Sequence, residues 1–308
     1  MKCNLIFFAC AAFLLFVMVT SCGGQKITSL VNTLTFDVDD FNSIGLDYDA
    51  DDIYVLESNQ AKVVLKEYMN ENRESYYAKT SLKNGKLLIT EGKRPRRSSF
   101  ESYIEIYIPE NITKNLSLHS TSGTIRSEIA LLVPGDFSVD TTSGTVEISN
   151  VKASVIKAAS ANGSLSFNNI EAEKIDVQTV NATTLMKEIN GTILYQSKGG
   201  KLTASQLSGS GSFHASGDGS LDISYVVVTG DISGYSKNGT LTVTVPDSLA
   251  FQFSAVTKQG SIKTSFSEQL AFTNHTALGS VGAYPDKTIA LETRNGDMNI
   301  SRRSYEKK

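Results

Sequence analysis

A short phrase returns through this chain at near-constant spacing: Ser or Asn, then Gly, a polar residue, an apolar one, a spacer, and usually a second apolar one. Copies read Ser122 Gly123 Thr124 Ile125, Ser143 Gly144 Thr145 Val146 Glu147 Ile148, Asn162 Gly163 Ser164 Leu165 Ser166 Phe167, and Asn238 Gly239 Thr240 Leu241 Thr242 Val243. Repetition at a fixed period constrains architecture strongly, because each copy is then one small unit that must lean on its neighbours. With the glycine as landmark, copies fall at Gly85, Gly123, Gly144, Gly163, Gly200, Gly219, Gly239, Gly260 and Gly296, with a worn copy at Asn181 and Ala182. The intervals are 38, 21, 19, 19, 18, 19, 20, 21 and 36 residues, so the first and last gaps are nearly double, as though a landmark had drifted in each.

After each glycine the apolar residues alternate, which is the period of a strand with one buried face; a helix would space them three and four apart. The glycine itself is expected at a sharp turn whose backbone angle Gly adopts cheaply and Asn tolerates next best. A second apolar group lies about half a period earlier, as in Phe137 and Val139, Ile175 and Val177, or Phe251 and Phe253. Each period therefore supplies at least two short strands. Such a unit cannot bury its own faces, so the units must stack. The expected fold is all-β: a single-domain β-solenoid of parallel β-helix coils of about 20 residues, roughly nine of them, at about 4.8 Å per layer. A β-sandwich also has evenly spaced strands, but it gives no reason to repeat one turn sequence.

The first residues read as a targeting element. Lys2 supplies a positive charge, Leu5 to Val19 is uncharged, and Val19 Thr20 Ser21 Cys22 closes the run. The run is short for a membrane span and suits a signal peptide over 1–21. The small residues before Cys22 resemble a bacterial lipobox, which implies cleavage there and lipidation of Cys22, hence membrane attachment through that residue. Cys3, Cys10 and Cys22 all lie at or before the cleavage point, so the mature chain has no pair for a disulfide or a thiolate metal site. Residues 22–27 form the lipidated cysteine and its tether. No acidic residue follows Cys22 closely, which points to an outer-membrane lipoprotein of the cell envelope, with its facing side left open.

Residues 28–303 are read as the solenoid, with 28–118 as irregular first coils, 119–303 as regular coils, and 304–308 as a charged tail. Terminal coils are expected to be irregular because they must cover an open strand edge. The repeated Ser/Asn–Gly turns, the Ile108 Pro109 strand end followed by Leu116 Ser117 Leu118, and Val245 Pro246 Asp247 Ser248 before Phe251 and Phe253 together resemble a bacterial group. It comprises exported adhesin-like proteins of repeated β-strands, including Bacteroidetes lipoproteins with a head GIN domain. The resemblance implies a β-solenoid with an adhesion or envelope role and brings no catalytic residues.

The chemistry in the sequence is sparse. A net charge of −3 gives no electrostatic reason to expect nucleic acid. No cofactor motif is present. A β-helix can instead be a polysaccharide lyase or hydrolase, so the outward column three residues after each glycine matters. It is expected to hold Leu88, Arg126, Glu147, Ser166, Thr203, Asp222, Thr242, Lys263 and Asn299. Its acids Glu147 and Asp222 are separated by three intervening coils, too far for the paired carboxylates of glycoside hydrolysis, and Arg126 with Glu147 is the expected neighbouring pair. His119, His214 and His275 sit in different coils and read as surface or strand positions, not metal ligands. Asp47, Asp49 and Asp51 alternate as in a calcium loop, but Asp52 stands where that loop needs Gly; exposed strand and turn carboxylates account for the Asp37 to Asp52 run more simply. Lys93, Arg94, Arg96 and Arg97 around Pro95 read as a solvated turn. Tyr76, Tyr77, Tyr103 and Tyr107 have the chemistry to stack on sugar rings, yet strand aromatics are common for packing reasons alone. These readings together describe a non-catalytic, lipid-anchored envelope protein, an adhesin or binding scaffold whose ligand would be a glycan or an envelope protein. A polysaccharide-active enzyme and an envelope-sensing signalling component are the alternatives.

Overall fold

The computed structural model describes residues 28–109 and 115–303, and among them the fold is all-β with three single-turn 3-10 segments. The chain is a β-solenoid. One coil shows the plan. In Thr145–Ser160, Val146 and Ile148 point inward, the chain bends at Asn150, Val151 and Ala153 point inward on a short second run, and Ile156 and Ala158 line a third. Residues 161–163 then turn into Ser164–Thr179, which pairs in parallel with the strand before it from Thr145↔Ser164 to Ser160↔Thr179. Here the run before each glycine turn is face A and the run after it face B. Stacking places like on like: Phe137, Ile156, Ile175 and Ile193 follow one another through the core. Each such side chain contributes about 1.5–3 kcal/mol by leaving water.

The repeated glycines stand in one column, but for a different reason from the expected one. None of Gly123, Gly144, Gly163, Gly200, Gly219, Gly239, Gly260 or Gly296 has the positive φ that favours glycine. What they lack room for is a Cβ. At Gly163 it would lie 2.0 Å from the carbonyl oxygen of Gly144, and at Gly144 it would lie 2.1 Å from that of Gly123. The same contact, at 2.0 to 2.1 Å, links Gly123 to Asp51, Gly200 to Ala182, Gly239 to Gly219, Gly296 to Gly239 and Gly260 to Gly296; Gly219 meets Gly200 at 2.7 Å. The turns pack so closely that backbone touches backbone.

A buried hydroxyl three residues before the glycine completes most of these turns. Ser120, Thr141, Ser160, Ser197 and Thr257 each accept the N–H of their glycine, at 2.8 to 3.1 Å. Ser120 and Thr141 also donate to carbonyls of the coil below, at 2.9 and 3.2 Å. The opposite corner carries the positive φ values instead, at Asn150, Asn169, Glu188 and Gln206, between 55° and 60°.

The two long gaps have a topological cause. Space order departs from chain order at both ends. The Ser43–Tyr48 and Asp52–Glu57 strands lie inside, between Asn115–Ser120 and Thr124–Ser127 on one side and the later Lys86–Thr90 and Ser102–Ile108 strands on the other. At the far end the chain runs out to Phe251–Thr257 and Ile262–Thr264. It then returns, so that Thr288–Thr293 and Met298–Arg303 fill the layer beneath. Gly296 accordingly sits between Gly239 and Gly260. Gly85 is no member of the column. With Asn84 it forms a two-residue turn at φ 51° and 72° joining the antiparallel Lys79–Lys83 and Lys86–Thr90 strands, the pattern of a type I′ hairpin.

Antiparallel strands close both ends. Lys62–Met69 pairs with Ser102–Ile108 and in turn with Ser29–Asp37, while Thr276–Val281 pairs with Phe251–Thr257. They cover the open edges that a parallel stack would otherwise present.

Candidate binding surfaces

The expected face B column is present with one exception. It runs Tyr54, Arg126, Glu147, Ser166, Leu185, Thr203, Asp222, Thr242, Asn299 and Lys263. Leu88 is on face A instead, paired with Gly45. This follows from Gly85 being a hairpin turn. Arg126 donates from Nε to Glu147 at 2.6 Å, whereas Asp222 stands far along the stack. The column is a solvated ladder.

Face A carries a shallow strip. Its outward positions form two neighbouring columns, and the first reads Leu88, Gly45, Ser117, Ser138, Lys157, Asp176, Leu194, Ser212, Ser233, Ala290 and Ser254. Seven of these eleven are Gly, Ser or Ala, so little side chain stands above the sheet. The second column holds the longer groups, including Asp47, His119, Asp140, His214, Tyr235 and Glu292. Openings of about 320, 410 and 340 Å³ follow along the strip, around Ser117 and His119, around Lys157 and Asp176, and around Ser212 and Tyr235. His119 and His214 thus lie on one strip despite their distance in sequence. His119 Nδ1 is 2.5 Å from Asp140 Oδ1, and His214 stacks on Tyr235 at 4.7 Å. His275 is elsewhere, its Nδ1 3.0 Å from the Gly260 carbonyl at the end of the stack.

The acidic run and the basic loop meet at Asp51, which corrects both readings there, while Asp37, Asp39, Asp40 and Asp47 are exposed as expected. Asp51 is 3 % exposed and Glu67 fully buried, and neither is a solvated carboxylate. Arg94 inserts between them with its side chain 4 % exposed and pairs with both. The loop is therefore no free solvated turn: Arg94 is its anchor, and Arg96 reaches Asp49 at 3.2 Å. Ser102 donates to Asp51, and Glu67 also accepts the Asn32 amide at 2.7 Å and the Ala78 N–H at 2.8 Å. Burial pushes the Glu67 carboxyl above its ordinary value and pulls the Arg94 guanidinium down to about 10. Around this bridge lies an open groove of about 910 Å³. The Asp47, Asp49 and Asp51 carboxylates do not converge. Among the described residues no group of three or more His, Cys, Asp or Glu is placed to hold a metal ion.

Over residues 41–301 the sequence matches the family described as Toastrack DUF4097. The chain belongs to that family. Several solved structures are similar to this chain at low identity. A "putative adhesin" from Bacteroides fragilis is 16% identical with a TM-score of 0.45, the match covering 88% of this chain and 96% of that one. A second "putative adhesin", from Parabacteroides distasonis, is 15% identical with a TM-score of 0.46 over 88% and 96% of the two chains. A "putative lipid binding protein" from the same species is 15% identical with a TM-score of 0.42 over 89% and 96%. No curated protein matches this Toastrack chain.

Cys22, the signal peptide at 1–21, the tether at 22–27 and the tail at 304–308 lie outside the described residues. Among the described residues no helix is long and apolar enough to cross a membrane. Sequence reading missed the buried hydroxyls, although Ser or Thr stands three before the glycine at Gly123, Gly144, Gly163, Gly200, Gly239, Gly260 and Gly296. It also missed the meeting of Asp51, Glu67 and Arg94, for which no local pattern exists.

Proposed function

We propose that this Toastrack chain is a lipid-anchored, non-catalytic binding module of the cell envelope, an adhesin or scaffold that holds an extended partner along face A. The observation that carries this reading is the strip itself: small outward residues in most layers, on either side of Lys157, Asp176 and Leu194, edged by His119, Asp140, Tyr235 and Glu292. A ligand laid across such strands approaches the backbone closely and meets polar groups at regular intervals, the form a preformed site takes. The carboxylates that do come together, Asp51 and Glu67, are buried on Arg94 and held off from any substrate. Attachment through Cys22 would place this rigid rack at the outer membrane.

Substituting Ser212→Trp and Ser233→Trp obstructs the strip without touching the core. Cells carrying the double variant should lose attachment to glycan-coated and protein-coated surfaces while displaying the protein normally. Equal attachment by variant and wild type would refute the role of face A. Release of Cys22→Ala protein from the membrane fraction tests the anchor separately.

A further inference from the structure

Face B carries a second feature, confined to the N-terminal end. Seven of the chain's 12 tyrosines lie between Tyr48 and Tyr107. Four of them, Tyr54, Tyr68, Tyr103 and Tyr107, occupy outward positions on three adjacent strands, where Ile53, Val55, Val63, Leu65, Ile104 and Ile106 take the inward ones. Core packing therefore does not account for these rings. Farther along face B, from Arg126 to Lys263, the outward column carries no aromatic residue.

The rings hold one another in place. Tyr68 and Tyr103 stack with centroids 4.6 Å apart and planes 5° from parallel, and Tyr54 meets Tyr103 edge-on at 5.8 Å. Glu105 accepts the Tyr68 and Tyr107 hydroxyls at 3.0 and 2.8 Å, and the Lys66 ammonium sits 4.3 Å from the Tyr107 ring centre. Tyr103 and Tyr107 are four residues apart on one strand, roughly 13 Å, which is long enough for a short oligosaccharide. All four residues are half-buried, so each keeps some accessible surface.

We infer that Tyr54, Tyr68, Tyr103 and Tyr107 form a binding platform for neutral pyranose oligosaccharides. The ring surface that this mutual packing leaves open pairs with the C–H face of a sugar ring, and the neighbouring polar groups take its hydroxyls, since tyrosine combines an apolar body with a polar tip. Charge selects the neutral class. Lys66 and Arg126 are balanced by Asp52 and Glu105, and Arg126 is already paired with Glu147, so the patch offers no net field to a polyanion. The platform lies on a different face from the strip above and stands or falls independently of it.

The chain has no tryptophan, so its emission is that of tyrosine alone, and the Tyr54 and Tyr103 variants show which part of a change comes from this patch. Titration of the full chain with cellohexaose should give a saturable emission change. Loss of one ring contact should weaken binding by up to about tenfold in Tyr54→Ala and Tyr103→Ala. Tyr103→Phe should bind within about threefold of wild type. Tyr54, at the edge of the cluster, carries the test should Tyr103→Ala fail to fold. No response to cellohexaose, an undiminished response in Tyr54→Ala, or a stronger response to heparin or to phosphatidylglycerol vesicles would overturn the inference. So would a response traced by light scattering to self-association of the chain.

Discussion

At the scale of single residues, the repeated glycine was legible in the sequence and its cause was not. A turn that needs a left-handed backbone accepts Asn, whereas a turn that leaves no space for a Cβ rejects Asn and Ala alike. Gly163 belongs to the second kind, since the atom it would meet is a backbone oxygen that cannot rotate away. Gly163→Ala and Gly163→Asn should therefore destabilise the protein by similar amounts, about 1–3 kcal/mol each. Chemical denaturation of both variants checks this, and an Asn variant as stable as wild type would restore the backbone-angle reading. Ala182 shows that the column can yield to one methyl: it stands above Gly163, in a pair of coils whose register slips between Glu171 and Lys174. The hydroxyls at Ser120, Thr141 and Ser160 were visible as letters but not as a motif, because the eye follows the glycine and its apolar successors. Their role depends on a glycine N–H that only the folded turn leaves without a strand partner.

At the scale of elements, strands and alternation could be read from sequence because burial on one face imposes a period of two. The second corner of each coil could not. Its four left-handed residues are Asn150, Asn169, Glu188 and Gln206, and no shared letter marks the position. Asn tolerates this conformation and gains a ladder bond here, from Asn169 to Asn150 at 2.8 Å. Glu188 gains little, since its contact with Lys187 at 3.3 Å is between exposed groups. Left-handed backbone costs ordinary L-residues roughly 1–2 kcal/mol and Asn less. Glu188→Asn should thus stabilise the protein by about 0.5–1 kcal/mol and extend the ladder by one layer. A thermal melt that is unchanged or lowered would show that the corner is relaxed as it stands. Nor could the sequence show that the chain runs outward and doubles back at both ends, because a period records spacing and is silent on the order in which layers are laid.

At the scale of the whole molecule, each coil touches only the coils beside it, and stability in such a stack is a sum of local terms. The N-terminal end adds one long-range fastening. Asp51 belongs to the innermost of the N-terminal layers, Glu67 to the antiparallel cap, and Arg94 to the loop between Lys86–Thr90 and Ser102–Ile108; the three are joined in one buried contact. Asp51 also offers its carbonyl to Ser120 at 2.9 Å, so the fastening is continuous with the first regular turn. Removing Arg94 leaves two buried carboxylates with no cation between them, a loss of about 3–5 kcal/mol. In a molecule that unfolds as one unit, that loss would spread evenly over every protected amide. In a stack it should stay near its source. Hydrogen exchange on Arg94→Ala should show faster exchange in Asp52–Glu57, Lys62–Met69 and Ser102–Ile108, with Ser164–Thr179 and Leu221–Ser236 as slow as in wild type. Uniform loss of protection from end to end would mean that the layers fold as one cooperative body, and the picture of additive coils would have to be given up.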